Sequence, residues 1–333
     1  MQVRTIVSTV GLALTVLFGA QRASAQYEVT NLVSNEEEIV KAPDLLLMNA
    51  WGLTHGPGGP WWVSDNTSGW STLYNGAGGK VPLDVSIPTA SGNGPGMPTG
   101  IVFNGSGEFN IGGGTPFFIF DTLDGTISGW VPSVNRNAAA IAITKPGASY
   151  TALAITNKVS GNLLYAVDNA GKTVDVYDGS FKLKRSFTDT TLPADFAPFG
   201  IQDFGGLLYV AFASSTGKAG GAIDIFSEGG VLLKHLATGN PLNQPWGMAI
   251  APKDFGPLSN ALLVSNNTNT GTINAFNAVT GQFVGTLKDT KGAVIQIDQL
   301  WGIGFGDGLG KMVPRTSSTS PPGLTTISMD CSE

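Results

Sequence analysis

The strongest constraint on the fold of this chain is a unit that recurs about every 50 residues. Each unit has a turn that contains Gly, often as Trp-Gly or Pro-Trp-Gly, and then a short apolar strand. A second strand ending in Asn or Asp and a third ending in an aromatic residue follow. The clearest copy spans 245–276 and the first spans 49–74. Units of this length, with several strands in each, are typical of a β-propeller.

The units begin at regular intervals, marked by Gly52, Gly100, Ala152, Gly200, Gly247 and Gly302. Six units predict an all-β, six-bladed propeller. The apolar strand after each turn is expected to lie innermost, because a strand covered on both faces is almost continuously apolar. The third strand alternates, with Val174 and Val176 against Asp175, so we expect it to be half exposed. Segment 27–33 is expected to close the ring as the outer strand of the last blade.

Composition supports strands and excludes several classes of function. Among 333 residues there are 46 Gly, only 13% are charged, and the formal net charge is -6. Abundant Gly with little charge favours short strands and tight turns over helices. An acidic chain lacks the basic surface of a nucleic-acid-binding protein, so no nucleic-acid partner is expected.

The N-terminus has the pattern of a secretory signal peptide over residues 1–25. Arg4 precedes an apolar core at 6–18, and Ala23-Ser24-Ala25 fits a cleavage site. The alternative, an uncleaved anchor, is disfavoured because the apolar run is short for a membrane span. The prediction is a secreted or periplasmic monomer with no membrane span. Cys331 is the only cysteine, so no intrachain disulfide is possible.

The propeller is predicted to span 26–310, followed by an irregular tail at 311–333. The tail is rich in Ser, Thr and Pro and shows no strand pattern, so the last blade is expected to be incomplete. Its degenerate codons permit a shifted frame in which 318–323 encodes Tyr-Phe-Thr-Ala-Gly. A frameshift in the gene after Gly310 is therefore a hypothesis that sequencing decides.

The motifs Asn49-Ala50-Trp51-Gly52-Leu53, Trp62-Val63-Ser64-Asp65-Asn66 and Ser71-Thr72-Leu73-Tyr74 resemble those of an uncharacterised family of secreted bacterial proteins. That family reads approximately Asn-Pro-Trp-Gly-Leu, Trp-Val-Ser-Asp-Asn and Ser-Thr-Leu-Tyr at this point. The resemblance covers roughly 27–310 and implies a propeller without an assigned activity. More distantly, the pattern is similar to NHL-type propellers and to the six-bladed calcium-dependent lactonases and phosphotriesterases. Similarity at that distance does not transfer function.

Residues for catalysis are sparse. There are two histidines and one cysteine, and no zinc-binding His-Glu-x-x-His motif is present. His55 precedes Gly56-Pro57-Gly58-Gly59, so it is interpreted as a surface turn residue. No catalytic residue and no organic cofactor are predicted.

Oxygen-bearing side chains form the best candidate site. Strand ends supply Asn66 and Asn266, and the turns before innermost strands supply Asn49, Asn243 and Asp298. Converging at one end of the channel, these side chains would offer the carboxylate and amide oxygens that Ca²⁺ prefers. The alternative is that Asn and Asp at strand ends make turn hydrogen bonds to nearby backbone. Repetition in every regular unit favours that structural role.

Two functions remain open from the sequence. The first is a secreted scaffold that binds a small molecule, a glycan or a protein on one loop face. The second is a calcium-dependent hydrolase of the lactonase or esterase type, in which the ion polarises a carbonyl or phosphoryl oxygen. No general base for the second function is visible in the sequence.

Overall fold

The computed structural model describes residues 27–39 and 43–306, together with the backbone of 312–314 and 323–329. The predicted signal peptide at 1–25 lies outside the described residues. The described chain confirms an all-β propeller, with one short 3₁₀ turn at Gly256–Leu258. In the part of the chain that is described, no helix is both long enough and apolar enough to cross a membrane.

Five blades share one plan, in which four consecutive strands pair antiparallel from the innermost strand to the outermost. Their strands are β2 (Ala50–His55), β3 (Trp61–Asp65), β4 (Trp70–Tyr74), β5 (Lys80–Ser86), β6 (Pro98–Phe103), β7 (Phe118–Thr122), β8 (Thr126–Trp130), β9 (Ala140–Thr144), β10 (Tyr150–Ile155), β11 (Leu163–Asp168), β12 (Thr173–Asp178), β13 (Leu183–Phe187), β14 (Phe196–Asp203), β15 (Leu207–Ser214), β16 (Ala222–Ser227), β17 (Leu232–Thr238), β18 (Pro245–Ile250), β19 (Ala261–Asn266), β20 (Ile273–Asn277) and β21 (Phe283–Thr286).

The last sheet is built differently, from both ends of the chain. It contains β22 (Ile303–Phe305), β23 (Met312–Pro314), β24 (Gly323–Met329) and β1 (Tyr27–Ser34), in the order β1-β24-β23-β22. The regular blades of consecutive strands therefore number five, and not the six that the repeats predict. β1 lies on the outer edge of this composite sheet, as expected for the strand that closes the ring.

The tail at 311–333 is not without strands, which corrects the sequence-based expectation. β24 pairs with β1 from Tyr27↔Met329 to Ser34↔Gly323, and β23 pairs with β22. Main-chain hydrogen bonds make these pairs. Such bonds require an available strand edge more than an alternating side-chain pattern, so the composition of the tail did not reveal them.

The recurring Gly has a steric cause at the centre of the propeller. The innermost strands β2, β6, β10, β14, β18 and β22 contact one another in sequence around the axis. A Cβ atom on Gly52 would lie 2.4 Å from the Thr99 carbonyl oxygen of the next blade, and one on Gly200 would lie 2.1 Å from that of Trp246. Only a residue without a side chain allows adjacent backbones to approach so closely.

The aromatic residues before the Gly meet across the axis rather than between blades. Trp51 and Trp301 stack with ring centroids 3.6 Å apart, and Trp246 packs edge-on against both. Phe199 contacts Trp301 from two blades away. Contacts between non-adjacent blades are possible only at the centre, so these rings fill one end of the axial channel.

Candidate functional site

The axial channel has one aromatic end and one open end. At the aromatic end, Trp51, Trp246 and Trp301 are each at least 92% buried. The Trp246 indole Nε1–H donates to the Thr151 carbonyl oxygen at 3.2 Å. The indole N–H groups of Trp51 and Trp301 have no hydrogen-bond acceptor within the described chain. This end therefore offers an apolar surface on the axis.

The open end is a pocket of about 340 Å³ at the carboxyl ends of the innermost strands. Blades one, four and five and the composite sheet contribute to its walls. Its walls present both polar and apolar surface, and they include the side chains of His55, Trp61, Gln202, Phe204, Met248 and Phe305. We call this cavity the mouth pocket.

His55 is a wall residue of the mouth pocket and not the surface turn residue that the sequence suggested. It is the last residue of β2, and its ring packs edge-on against Trp61 with centroids 4.5 Å apart. Its Nδ1 lies 3.0 Å from the Gly56 carbonyl oxygen and its Nε2 lies 3.2 Å from that of Phe305. The ring is thus fixed in place between two innermost strands of neighbouring sheets.

Two of the predicted calcium ligands, Asn49 and Asn66, form one pair in the first blade. The Asn49 amide Nδ2 donates to the Asn66 Oδ1 at 3.2 Å, and the Asn66 backbone N–H donates to the Asn49 carbonyl oxygen. The Asn66 Nδ2 donates in turn to the carbonyl oxygen of Pro98 in the next blade. These bonds tie the turn to its neighbour, as the structural alternative predicts.

Asn243 and Asn266 form a second pair, in the fifth blade. The Asn266 Oδ1 accepts the Asn243 backbone N–H at 3.0 Å, and its Nδ2 donates to the Pro241 carbonyl oxygen at 2.8 Å. Asn243 Oδ1 accepts the Gly220 N–H at 3.3 Å. Asp298, the fifth predicted ligand, lies half-buried in the turn before the composite sheet. Four of the five predicted residues thus form two local pairs, and the residues that meet on the axis at this end are aromatic.

The same turns hold strained backbone that the sequence did not reveal. Asn49, Gln244 and Gln299 each lie two residues before a Trp of the axial cluster, and each has a positive φ between 45° and 51°. Residues other than Gly are uncommon in this region. Strain of this kind is tolerated where the surrounding structure fixes the backbone, here the aromatic cluster on the axis.

A buried ion-pair network joins the second and third blades. Asp175 on β12 is fully buried and contacts Lys145 Nζ at 2.6 Å, and the same Nζ lies 2.9 Å from Asp168. The Ser186 hydroxyl on β13 donates to Asp175 at 2.6 Å. Burial opposes the charge of Lys145, but the hydrogen bonds to Asp175 and Asp168 outweigh it and raise the pKa of Lys145. The half-exposed third strand that the sequence predicted is here covered by a neighbouring loop.

The equivalent position in the fourth blade has a different chemistry. Asp224 on β16 corresponds to Asp175, and His235 on β17 corresponds to Ser186. Asp189, from the loop after β13, occupies the place of Lys145. His235 Nδ1 lies 3.1 Å from Asp224 Oδ1 and 3.4 Å from Asp189 Oδ2. We call these three residues the Asp-Asp-His cluster.

The two carboxyl groups of this cluster have opposite pKa shifts. Burial, with the adjacent Asp189 carboxylate, raises the pKa of Asp224 to about 7. Burial also opposes the charge of Asp189, but hydrogen bonds from the Thr191 N–H and hydroxyl outweigh it and lower that pKa. No residue of the cluster was predicted from the sequence as part of a site. Its one available signal was an Asp between two apolar residues of a third strand, Ile223-Asp224-Ile225, in the same place as Val174-Asp175-Val176.

The fold and the axial cavity define this protein as a β-propeller. No protein-family model matches the chain. Uncharacterized protein L690 of Acanthamoeba polyphaga mimivirus is 30% identical over 309 residues, covering 86% of this chain and 80% of L690. Uncharacterized protein R648 of the same virus is 27% identical and covers 86% of this chain and 75% of R648. The chain belongs to the family of these mimivirus proteins.

Solved structures support the fold alone. A gluconolactonase from Xanthomonas campestris superposes with a TM-score of 0.56 at 14% identity, covering 86% of this chain and 88% of the other. Virginiamycin B lyase from Staphylococcus aureus gives a TM-score of 0.53 at 12% identity, covering 91% and 99%. The motifs resemble a bacterial secreted family, whereas the relatives found by sequence are viral. The comparisons therefore show the propeller fold and do not show a bacterial origin.

Proposed function

We propose that this protein is a secreted binding scaffold that holds a small ligand with both polar and apolar groups in the mouth pocket. The observation that carries the proposal is the cavity itself. A volume of about 340 Å³ lies within the range of small-molecule sites, and its walls combine apolar surface with a few fixed polar groups. The opposite end of the channel is filled by three indoles and leaves less room.

The polar groups of the pocket indicate which ligand chemistry fits. His55 packs against Trp61 and has a carbonyl oxygen facing each ring nitrogen, one of which accepts the ring N–H, so its ring orientation is set before any ligand arrives. Gln202 is exposed at the rim, where its amide can both donate and accept. A ligand with an aromatic or aliphatic body and one carbonyl or hydroxyl group would satisfy both the apolar wall and the amide.

The calcium-dependent hydrolase is the competing proposal from the sequence. In that proposal, oxygens of Asn49, Asn66, Asn243, Asn266 and Asp298 would have to turn toward a common ion. Turning Asn66 and Asn266 to an ion would break the hydrogen bonds that their amide oxygens accept from Asn49 and Asn243. A net hydrogen bond contributes about 0.5–1.5 kcal/mol, so such rearrangement weakens any gain from the ion. The scaffold is therefore the better-supported function.

A fluorescence titration tests the scaffold proposal. The probe is 1-anilinonaphthalene-8-sulfonate, an aromatic anion that fluoresces in apolar cavities. Saturable binding of one probe is expected for the wild type. Gln202→Trp fills the rim from an exposed position and should abolish that binding. Gln282→Trp, at an exposed turn before β21, is the matched control and should bind normally.

Parallel assays separate the two functions. The protein is titrated with Ca²⁺ by calorimetry and then incubated with a panel of lactones and esters. Under the scaffold proposal neither Ca²⁺ uptake nor turnover occurs. Probe binding that is unaffected by Gln202→Trp, or lactone hydrolysis that requires Ca²⁺, would refute it.

We further propose that the composite sheet acts as a sixth blade, so that the ring is closed by the two chain ends. The contact of β22 with both β18 and β2 supports this arrangement.

The signal-like pattern at 1–25 supports secretion. Cell fractionation, with sequencing of the mature N-terminus, tests it: an N-terminus at Gln26 in the secreted fraction is expected, and an intact Met1 in the cytosol would contradict it.

A further inference from the structure

The Asp-Asp-His cluster brings together side chains that can bind a metal ion, at a place away from the channel. Its three side chains converge from three separate segments: the loop after β13, the third strand of the fourth blade and its outer strand. One atom from each residue lies within 4.8 Å of the other two. The Asp189 side chain is 1% exposed and that of Asp224 is fully buried, whereas the His235 side chain is 51% exposed. The cluster therefore has a buried acidic floor and a rim open to solvent.

A comparison within the same molecule shows what the cluster lacks. In the third blade, the buried Asp175 at the equivalent position is matched by the Lys145 ammonium group, which reaches it from the preceding inter-blade loop. In the fourth blade, the equivalent loop supplies Asp189, a second carboxylate. Two ionised carboxylates at such a site repel each other, and either a shared proton or a bound cation relieves the repulsion, because an unpaired buried charge is strongly unfavourable.

The hydrogen bonding of the carboxylate oxygens is a second, independent observation that favours a bound cation at the cluster. Oδ2 of Asp189 and Oδ2 of Asp224 are buried and, apart from a proton that the two carboxyl groups can share, accept no hydrogen bond from any donor in the described part of the chain. Buried carboxylate oxygens are normally paired with a donor or a cation. Two such oxygens beside one half-exposed imidazole form an acceptor-rich pocket.

The spacing of the atoms matches a metal coordination sphere. Two ligands at 2.0–2.1 Å from a tetrahedral ion are separated by about 3.3–3.4 Å. The observed separations from His235 Nδ1 are 3.1 Å to Asp224 and 3.4 Å to Asp189. The ligand set is one imidazole nitrogen with carboxylate oxygens. That combination suits Zn²⁺ or Mn²⁺ better than Ca²⁺, whose ligands are oxygens.

We propose that Asp189, Asp224 and His235 bind one divalent transition-metal ion of the Zn²⁺ or Mn²⁺ type. The ion takes the place that the Lys145 ammonium group holds in the third blade, and it joins the third blade to the fourth. Water completes its coordination on the exposed side of His235. This site is separate from the five channel residues predicted as calcium ligands and does not depend on the mouth pocket.

Metal titration of the tag-free protein tests the proposal. Calorimetry and elemental analysis should give one Zn²⁺ per chain, and Co²⁺ should produce the visible absorption of a low-symmetry site. A chelator should lower the melting temperature of the loaded protein. His235→Gln, an exposed change that leaves the core intact, should weaken Zn²⁺ affinity by at least about 10–100-fold.

A second variant keeps the test independent of folding defects. Asp189→Lys reproduces the arrangement of the third blade, so the protein should fold, bind no metal and melt at the same temperature with or without chelator. Ser186→Ala changes the residue equivalent to His235 in the third blade and should bind Zn²⁺ as the wild type does. The proposal is overturned if the wild type binds none of Zn²⁺, Mn²⁺ and Co²⁺. It is equally overturned if His235→Gln and Asp189→Lys retain wild-type affinity.

Discussion

Asp121 gives the sharpest prediction of how stability depends on pH. This residue lies on β7 and is fully buried. One carboxyl oxygen accepts the Gly100 N–H at 2.5 Å and the Thr99 hydroxyl at 2.7 Å. The other oxygen has no partner among the described residues. Burial raises the pKa of Asp121 from its ordinary 3.8 to about 7, because hydrogen bonds to one oxygen do not replace the lost hydration.

The sign follows from proton binding. Since the folded state holds the proton more tightly than the unfolded state, this group reduces stability as the pH rises from about 4 to about 7. A shift of about three pKa units corresponds to about 4 kcal/mol at most, at 1.36 kcal/mol for each unit. About 2–3 kcal/mol of this change falls between pH 5 and pH 8.

Asp121→Asn removes the titration while keeping the shape of the side chain and an oxygen that accepts the same two bonds. The assay is urea unfolding of the wild type and the variant at pH 5 and at pH 8. The wild type should lose about 2–3 kcal/mol more than the variant between these two values. Other titrating groups, including Asp224, contribute to both proteins and cancel in the difference.

The matched control is Asp254→Asn, the same chemical change at an exposed loop residue. It should alter the pH dependence by no more than about 0.5 kcal/mol. Equal pH dependence in the wild type and in Asp121→Asn would refute the reasoning. That result would mean that Asp121 is ionised in the folded protein at pH 5, and that burial does not control its titration.

Two further predictions concern the inter-blade contacts. Gly200→Ala should destabilise the protein by about 3 kcal/mol or prevent folding, because its Cβ would lie 2.1 Å from the Trp246 carbonyl oxygen; denaturant midpoints of soluble variants measure this. Lys145→Met should reduce the free energy of unfolding by about 2–3 kcal/mol, because it leaves Asp168 and Asp175 without their cation. The loss is smaller than for a fully enclosed ion pair because Lys145 is partly exposed.

Each of these two predictions has its own control. Gly76→Ala adds a Cβ where no atom lies within 4 Å, so it should leave stability unchanged or raise it by up to about 1 kcal/mol. The double variant Lys145→Met with Asp175→Asn removes one of the stranded charges and should recover part of the loss. If Gly200→Ala is as stable as Gly76→Ala, close backbone approach does not explain the repeat. If the double variant is less stable than Lys145→Met, charge imbalance is not the cause.

Much of the fold could be predicted because the repeat reports backbone packing directly. Gly52 and Gly200 recur where neighbouring innermost strands approach too closely for a Cβ atom, and this requirement leaves a visible mark every 50 residues or so. The role of Tyr27–Ser34 as an outer strand was also accessible, since an open propeller would leave an unpaired edge. The strands within 311–333 were not, because the main-chain pairing of β24 with β1 and of β23 with β22 requires no side-chain periodicity in the tail.

The candidate sites were less accessible to sequence reasoning. Asn66 and Asn266 were found correctly as repeated strand-end residues, but the hydrogen bonds that occupy their amide oxygens depend on how each turn folds back. His235 and Asp189 are separated by 46 positions in the chain, and no local pattern connects them. His55 looked like part of a Gly-rich turn, yet it ends a strand at the mouth pocket.

The sequence by itself determined that the chain forms radial sheets, since repeated Gly and apolar strands encode local geometry and burial. Only the tertiary structure decided which charges meet. Asp175 and Asp224 occupy the same place in successive blades and are followed by similar strands. Asp175 contacts Lys145, whereas Asp224 lies beside Asp189. Each partner comes from the loop that joins two blades, and the periodicity of the strands does not predict where a loop side chain lies. Electrostatic partnership depends on distances through space, and these arise only when the blades pack together.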